Sequence, residues 1–266
     1  MCIIVYKPEN ENMPSKKTLK HCWDNNSDGA GYMFAHNDKV IIKKGFMSFK
    51  SLYDSLRNDY TKFHDKAFVV HFRITTQGGV RRDLTHPFPL TDDIDDMRLL
   101  RNTSDFGIAH NGIISLTSTS LYNTTITYND TMKFISEYLS LIISKPKDLE
   151  NEKTLKLIQK LAESKLAIMD NSGKVTLIGA FTQHKGCFFS NSTYQAYRAT
   201  YTKTTTKPYS CDLWDDYDDE YYYGLTNYGQ WTFTPDYCPE TMCKDSSYCE
   251  NCVSRKFCKK GGSFDV

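Results

Sequence analysis

Strand-length apolar runs recur in pairs along this chain, and segments with helical spacing fall between the pairs. Cys2 to Tyr6 is a short β-branched run ended by Lys7-Pro8, which predicts a strand beginning at the second residue. Pro14 to Asn25 spaces Leu19, Cys22 and Trp23 as a short helix, and Ser27 to Gly31 is a tight turn. Tyr32–Ala35 and Lys39–Lys43 predict a hairpin around His36-Asn37-Asp38. Ser48 is placed to cap a helix carrying Leu52, Leu56 and Tyr60. Ala67 to Ile74 reads as a strand closed by Gly78-Gly79, and Phe106 to Ile114 as another, interrupted by Asn111-Gly112. A helix is expected from Asn129-Asp130-Thr131 onward, with Met132, Ile135, Leu139 and Ile142 on one face. A second follows Pro146, with Leu155, Ile158, Leu161 and Ala162. Leu166–Met169 and Val175–Ile178 flank the turn Asp170 to Gly173, and Cys187 to Ser190 is the last core strand. Helices set between pairs of strands predict an α+β layered domain and argue against a regular βαβ array.

After about Gln195 the character changes. Residues 198–208 are rich in Thr and Lys, 211–224 carry six acidic residues and no basic one, and 238–258 hold five of the nine cysteines. A boundary near 195 therefore separates a domain at 2–195 from a small irregular appendage at 196–266. Cys238, Cys243, Cys249, Cys252 and Cys258 offer more thiols than a tetrahedral zinc site needs, so four of them could form a structural all-thiolate zinc site; of the spacings, Cys249-x2-Cys252 alone is that of a zinc knuckle. The chain is 39% hydrophobic and 24% charged, with a net charge of +1. That balance excludes a mostly disordered chain and gives no support to direct nucleic-acid binding through bulk charge. No apolar run approaches the roughly 20 residues of a membrane span, and the start lacks a signal-peptide pattern. A cytoplasmic protein with reduced thiols is expected.

Chemistry-bearing residues gather at four places. An initiator Met before a small residue is usually removed, which would leave Cys2 with a free α-amine beside its thiol. Such an amine has an ordinary pKa of about 7.7 to 8.0, low enough to serve as the base for its own side chain. In His71-Phe72-Arg73-Ile74-Thr75-Thr76-Gln77-Gly78 an arginine stands at the end of a strand, where a guanidinium can fork onto a carboxylate. In Ala109-His110-Asn111-Gly112-Ile113-Ile114 an amide and a glycine N–H lie side by side, the elements of an oxyanion hole. In Tyr128-Asn129-Asp130-Thr131 a carboxylate opens a helix, where it serves equally as a helix-terminal acid or a ligand group.

Taken in this order and at these separations, Cys2, HFRITTQG, AHNGII and YNDT resemble the class II glutamine amidotransferase domain of the N-terminal-nucleophile hydrolases, over about residues 2–195. The resemblance implies a four-layer αββα sandwich of two antiparallel sheets between helices. It implies that Cys2 attacks the side-chain amide of glutamine, that Asn111 and the Gly112 N–H hold the oxyanion, that Arg73 binds the substrate α-carboxylate and Asp130 its α-ammonium, and that Thr76 and Gln77 line the pocket. No cofactor is implied for that chemistry. Two positions depart from the pattern: Asn25-Asn26 stands where the sugar- and purine-pathway members place Arg-Gly, and Ile74 stands where an aromatic often follows the pocket arginine. His71 and His110 are expected to be packed or hydrogen-bonded, and His86-Pro87-Phe88 to lie at a sheet edge.

Such domains usually hand ammonia to a synthase. No phosphate-binding GxxxxGKS or GxxxxGKT loop is present and no second large α/β region follows residue 195, so glutamine and a separate ammonia-acceptor enzyme are the expected partners. The alternatives are a stand-alone γ-glutamyl amide hydrolase and a non-catalytic binding module that has kept the fold.

Overall fold

The computed structural model describes residues 2–75, 79–115 and 128–195. In chain order they form β1 (Ile3–Lys7), α1 (Lys16–Asp24), β2 (Ala30–His36), β3 (Lys39–Phe46), α2 (Phe49–Lys62), β4 (Phe68–Phe72), β5 (Phe88–Pro89), α3 (Ile94–Arg98), β6 (Arg101–Ser104) and β7 (Phe106–Asn111). Then come α4 (Asp130–Phe134), α5 (Ser140–Ile142), α6 (Glu152–Ala162), β8 (Lys165–Asp170), β9 (Val175–Ile178), β10 (Thr182–His184) and β11 (Cys187–Phe189). One sheet has the order β10-β11-β1-β4-β2-β3-β6 and the other β5-β7-β8-β9. Neighbouring strands run antiparallel in both sheets. The fold is thus mixed α+β with antiparallel sheets. No helix among the described residues is long and apolar enough to cross a membrane.

Local sequence explains the helix starts. Ser15 Oγ accepts the Thr18 N–H at 3.1 Å at the start of α1, and Ser48 Oγ accepts the Ser51 N–H at 3.2 Å at the start of α2. Both satisfy a backbone donor that the first helical turn leaves open. Asn129 does the same for α4, accepting from Met132 N–H at 2.9 Å. That helix continues through a π-helical turn (Ile135–Leu139) into α5.

Strand alternation sorts the side chains into three cores. In β1, Ile3 and Val5 point one way and Ile4 the other; in β4, Phe68, Val70 and Phe72 oppose Val69. The first set packs with Leu19, Cys22 and Trp23 of α1 and Leu52 and Leu56 of α2. On the smaller sheet, Ile108 of β7 and Leu166 and Ile168 of β8 pack with Met132 and Phe134 of α4 and Ile158 and Ala162 of α6. The third core joins both sheets: Ile4, Met33, Ala35, Val40, Ile42 and Val69 meet Ala109, Ala167 and Met169. The sheets therefore face each other, each backed by helices.

The same alternation fixes what stands at the end of the gap between the sheets. Ile3 pairs with Phe72, so Cys2 and Arg73 are the next residues along β1 and β4, and both carry the parity of the inter-sheet residues Ile4 and Val69. Asn111, two residues beyond Ala109, looks back at them from β7.

Close backbone approach limits substitution at two glycines. A Cβ on Gly31 would lie 2.3 Å from the His86 carbonyl oxygen and 2.8 Å from that of Lys43, both fixed backbone. A Cβ on Gly107 would lie 2.4 Å from Met33 Sδ, the end of a flexible side chain. Gly31→Ala is accordingly expected to destabilise the fold by about 2–3 kcal/mol and Gly107→Ala by about 1 kcal/mol. Urea unfolding of the two variants checks this; equal losses would show that both sites relax alike.

Candidate active site

Cys2 precedes the strand that lies between β4 and β11, and its thiol is half-buried. The sulfur meets both backbone groups of Ile74, receiving its N–H at 3.4 Å and approaching its carbonyl oxygen at 3.4 Å. The Cys2 carbonyl accepts from Asn191 Nδ2 at 2.7 Å. Burial pushes the thiol pKa up, against the opposing pull of the Ile74 hydrogen bond and the Arg73 charge. A thiol held protonated in this way needs a base before it can attack.

Arg73 is 4% exposed. Its backbone is clamped between two residues of the preceding turn: its N–H donates to Gly29 O at 2.8 Å, and its carbonyl accepts from Asp28 N–H at 2.9 Å. The Asp28 carboxylate in turn accepts the Thr75 N–H at 2.7 Å. The guanidinium donates from Nη1 to Gly79 O at 3.0 Å. Burial lowers the guanidinium pKa, and the neighbouring Cys2, Asp28 and Asp130 act to raise it. The arginine charge thus stands near the thiol and the carboxylates of Asp28, Asp130 and Asp83.

Asn111 ends β7 and is 5% exposed, its Nδ2 2.8 Å from Ser190 Oγ. Its Oδ1 is buried without a hydrogen-bond partner among the described residues. Ser190 is pinned to β1: its Oγ accepts the Ile4 N–H at 2.8 Å and its N–H donates to Ile4 O at 3.0 Å. Lys165 Nζ donates to its carbonyl. Ser190 and Asn191, just past β11, therefore fasten the Cys2 end of β1 to the Asn111 end of β7. Gly112 follows with φ +150°, and a Cβ there would lie 2.6 Å from the Ser164 Cβ, so both conformation and space call for glycine.

Asp130 opens α4. Its Oδ2 accepts the Ile114 N–H at 2.9 Å, which ties the strand end after Asn111-Gly112 to the helix, and its Oδ1 accepts the Thr131 N–H at 2.9 Å. Behind it Thr131 Oγ1 lies 3.4 Å from Asp130 Oδ1, 2.8 Å from His110 Nδ1 and 3.2 Å from His86 Nε2. His110 Nε2 reaches Ser164 Oγ at 2.9 Å, and His71 Nε2 lies 2.9 Å from the His110 carbonyl. The buried histidines thus serve as struts between the strands and the helix that carry Asn111 and Asp130.

The structure brings Cys2, Arg73, Asn111, Gly112 and Asp130 to one end of the inter-sheet gap. Thr76, Gln77 and the cysteines at 238, 243, 249, 252 and 258 lie outside the described residues, as does all of 196–266. No group of three or more His, Cys, Asp or Glu side chains among the described residues is arranged to hold a metal ion. Asn25 and Asn26, where the resemblance departs, have a local task. Their side-chain amides cap the end of α1 and reach Thr193 O at 2.8 Å and Thr193 Oγ1 at 3.2 Å, bracing the turn that holds Cys2. Sequence reading missed Asp28, Ser190 and Asn191. Asp28 sits in the tight turn at 27–31 and could have been found there; Ser190 and Asn191 carry no signal of residue type. No protein-family model matches the sequence, and comparison with curated proteins finds no similar one.

Burial lowers the His71 pKa to about 3 and that of His110 to about 4, and burial with the nearby His71, His110 and Arg73 charges holds His86 well below its ordinary value. All three are neutral at pH 7. Unfolding releases them to about 6.5, so the unfolded chain takes up protons first as the pH falls. Stability is therefore full above about pH 7 and declines steadily from there to pH 5, before carboxylates contribute. Urea midpoints across this window test it; a flat profile would contradict neutral burial of the three rings.

Proposed function

We propose that residues 2–195 form a class II glutamine amidotransferase domain with the four-layer αββα architecture of the N-terminal-nucleophile hydrolases. Two facing antiparallel sheets with helices behind each support that architecture. The observation that carries the function is the Ser190-Asn191 corner, which puts the residue bearing the thiol and the residue bearing the amide side by side, next to a buried arginine.

In this reading removal of Met1 frees the Cys2 α-amine. The amine takes the thiol proton as sulfur attacks the glutamine amide carbon, and the Asn111 side chain with the Gly112 N–H holds the oxygen of the tetrahedral intermediate. Collapse breaks the carbon–nitrogen bond, and the proton leaves with ammonia. Water then cleaves the γ-glutamyl thioester, giving glutamate and restoring the thiol. Arg73 and Asp130 match the two charges of the amino-acid head, a pairing that requires one cation and one anion at fixed separation. The raised thiol pKa fits a nucleophile that depends on its own amine. The released ammonia is intended for a separate acceptor enzyme.

Purified chain should release glutamate from glutamine. 6-Diazo-5-oxo-L-norleucine, a glutamine-like diazoketone, should alkylate Cys2 in protein whose intact mass shows Met1 gone. Cys2→Ala should reduce turnover to background. Arg73→Ala should raise KM by about 10- to 100-fold with a smaller change in kcat, since a hydrogen bond to a charged group contributes about 1.5–3 kcal/mol. Absence of both glutamate release and adduct in processed protein would end this reading. Turnover of bulky γ-glutamyl amides in preference to glutamine would move it to a stand-alone hydrolase.

A further inference from the structure

Ser190 Oγ has one proton to give and two lone pairs to fill. Ile4 N–H occupies one lone pair at 2.8 Å. With Asn111 Nδ2 as its other neighbour at 2.8 Å, the oxygen receives two donors, while Asn111 Oδ1 lies buried with no donor among the described residues. In this orientation the Asn111 oxygen and the Ser190 hydroxyl proton are both left unmet, and a buried polar group without a partner is unfavourable. Turning the Asn111 amide by a half-rotation about its last torsion exchanges two atoms of nearly equal size. Oδ1 then receives the Ser190 hydroxyl proton, and Nδ2 takes the position now held by the unpartnered oxygen. The serine becomes an acceptor from Ile4 and a donor to Asn111, and its own position is fixed by the backbone bond to Ile4 and by the Lys165 ammonium on its carbonyl.

We infer that Ser190 is a positioning residue that holds the Asn111 amide with its Nδ2 donor turned into the pocket, where an oxygen bearing negative charge would complete it. The inference rests on the glutaminase reading for the identity of that oxygen. It assigns the serine no contact with substrate. Its proton stays on the serine throughout, and its effect passes through the asparagine. In the free enzyme the inward N–H awaits an acceptor, so the orientation has to be imposed from behind, and Ser190 is the group placed to impose it.

The test is a cycle of Ser190→Ala, Asn111→Ala and the double variant, assayed for glutamate release from glutamine and for alkylation of Cys2 by 6-diazo-5-oxo-L-norleucine. Ser190→Ala is expected to lower kcat by about 10- to 100-fold, approaching the loss of a whole oxyanion donor, with KM within about twofold because head-group recognition is untouched. Alkylation should persist at near the wild-type rate, showing a folded pocket and a competent thiol. The double variant should be no slower than Asn111→Ala alone, since a residue acting through another has nothing left to act on. A Ser190→Ala enzyme with wild-type kcat, or losses that add in the double variant, would overturn the inference and leave the glutaminase reading standing. A wild-type chain that neither releases glutamate nor alkylates would remove both. Should Ser190→Ala fail to fold, Ser190→Cys carries the same cycle. Its weaker S–H donor is expected to give a partial loss of kcat that Asn111→Ala again masks, and losses that add would overturn the inference.

Discussion

Contact between the two sheets is the constraint from which the rest of the domain follows. Small residues of one sheet meet larger ones of the other: Ala109 and Ala167 share a core with Met33, Val40 and Ile42, and a Cβ on Gly107 would meet all three of these. Packed sheets lie about 10 Å apart, a distance that side chains fill in the middle and that opens where the strands end. Cys2, Arg73 and Asn111 inherit their direction from this arrangement. Each continues the parity of a strand whose inward residues are already committed to the core. The candidate site is therefore an extension of the core's own geometry, built on strand ends, with Asp130 supplied from a helix start. Sites on such elements hold position better than sites on long loops.

Behind the pocket the protein uses polar residues as fasteners. His71, His110 and Thr131 connect β4, β7 and α4, and their mutual hydrogen bonds run toward Asn111 and Asp130. Keeping three imidazoles neutral in the interior has an electrostatic benefit. It leaves the Arg73 charge beside the thiol without added positive charge from the three rings at neutral pH.

The sequence revealed the strands with apolar inward faces and the helices that begin at Ser15, Ser48 and Asn129, because burial and capping both leave marks on residue type; it did not reveal the short α3, although Asp93 caps it. It did not reveal β6 (Arg101-Asn102-Thr103-Ser104) or β10 (Thr182-Gln183-His184). These are edge strands exposed to solvent, and their residues have no apolar alternation to read. Strand order was likewise illegible, since the pairing of β1 with β11 depends on contacts between residues far apart in the chain. At the site, Cys2, Arg73, Asn111-Gly112 and Asp130 could be picked out by resemblance. Asp28 carried a weaker mark, its place in the tight turn at 27–31, and Ser190 and Asn191 carried none, for their importance comes from which backbone groups they meet, and that is a property of the folded arrangement alone.

The pairing of the first strand with the last has a temporal side. A nascent polypeptide still short of residue 189 can bring β4 against β1, but it has nothing to cover the other edge, and Cys2 and Asn111 have no common anchor until Ser190 and Asn191 clear the ribosome. The corner that joins Cys2 to Asn111 is thus among the last parts of residues 2–195 that translation can complete, although Cys2 is made long before Ser190.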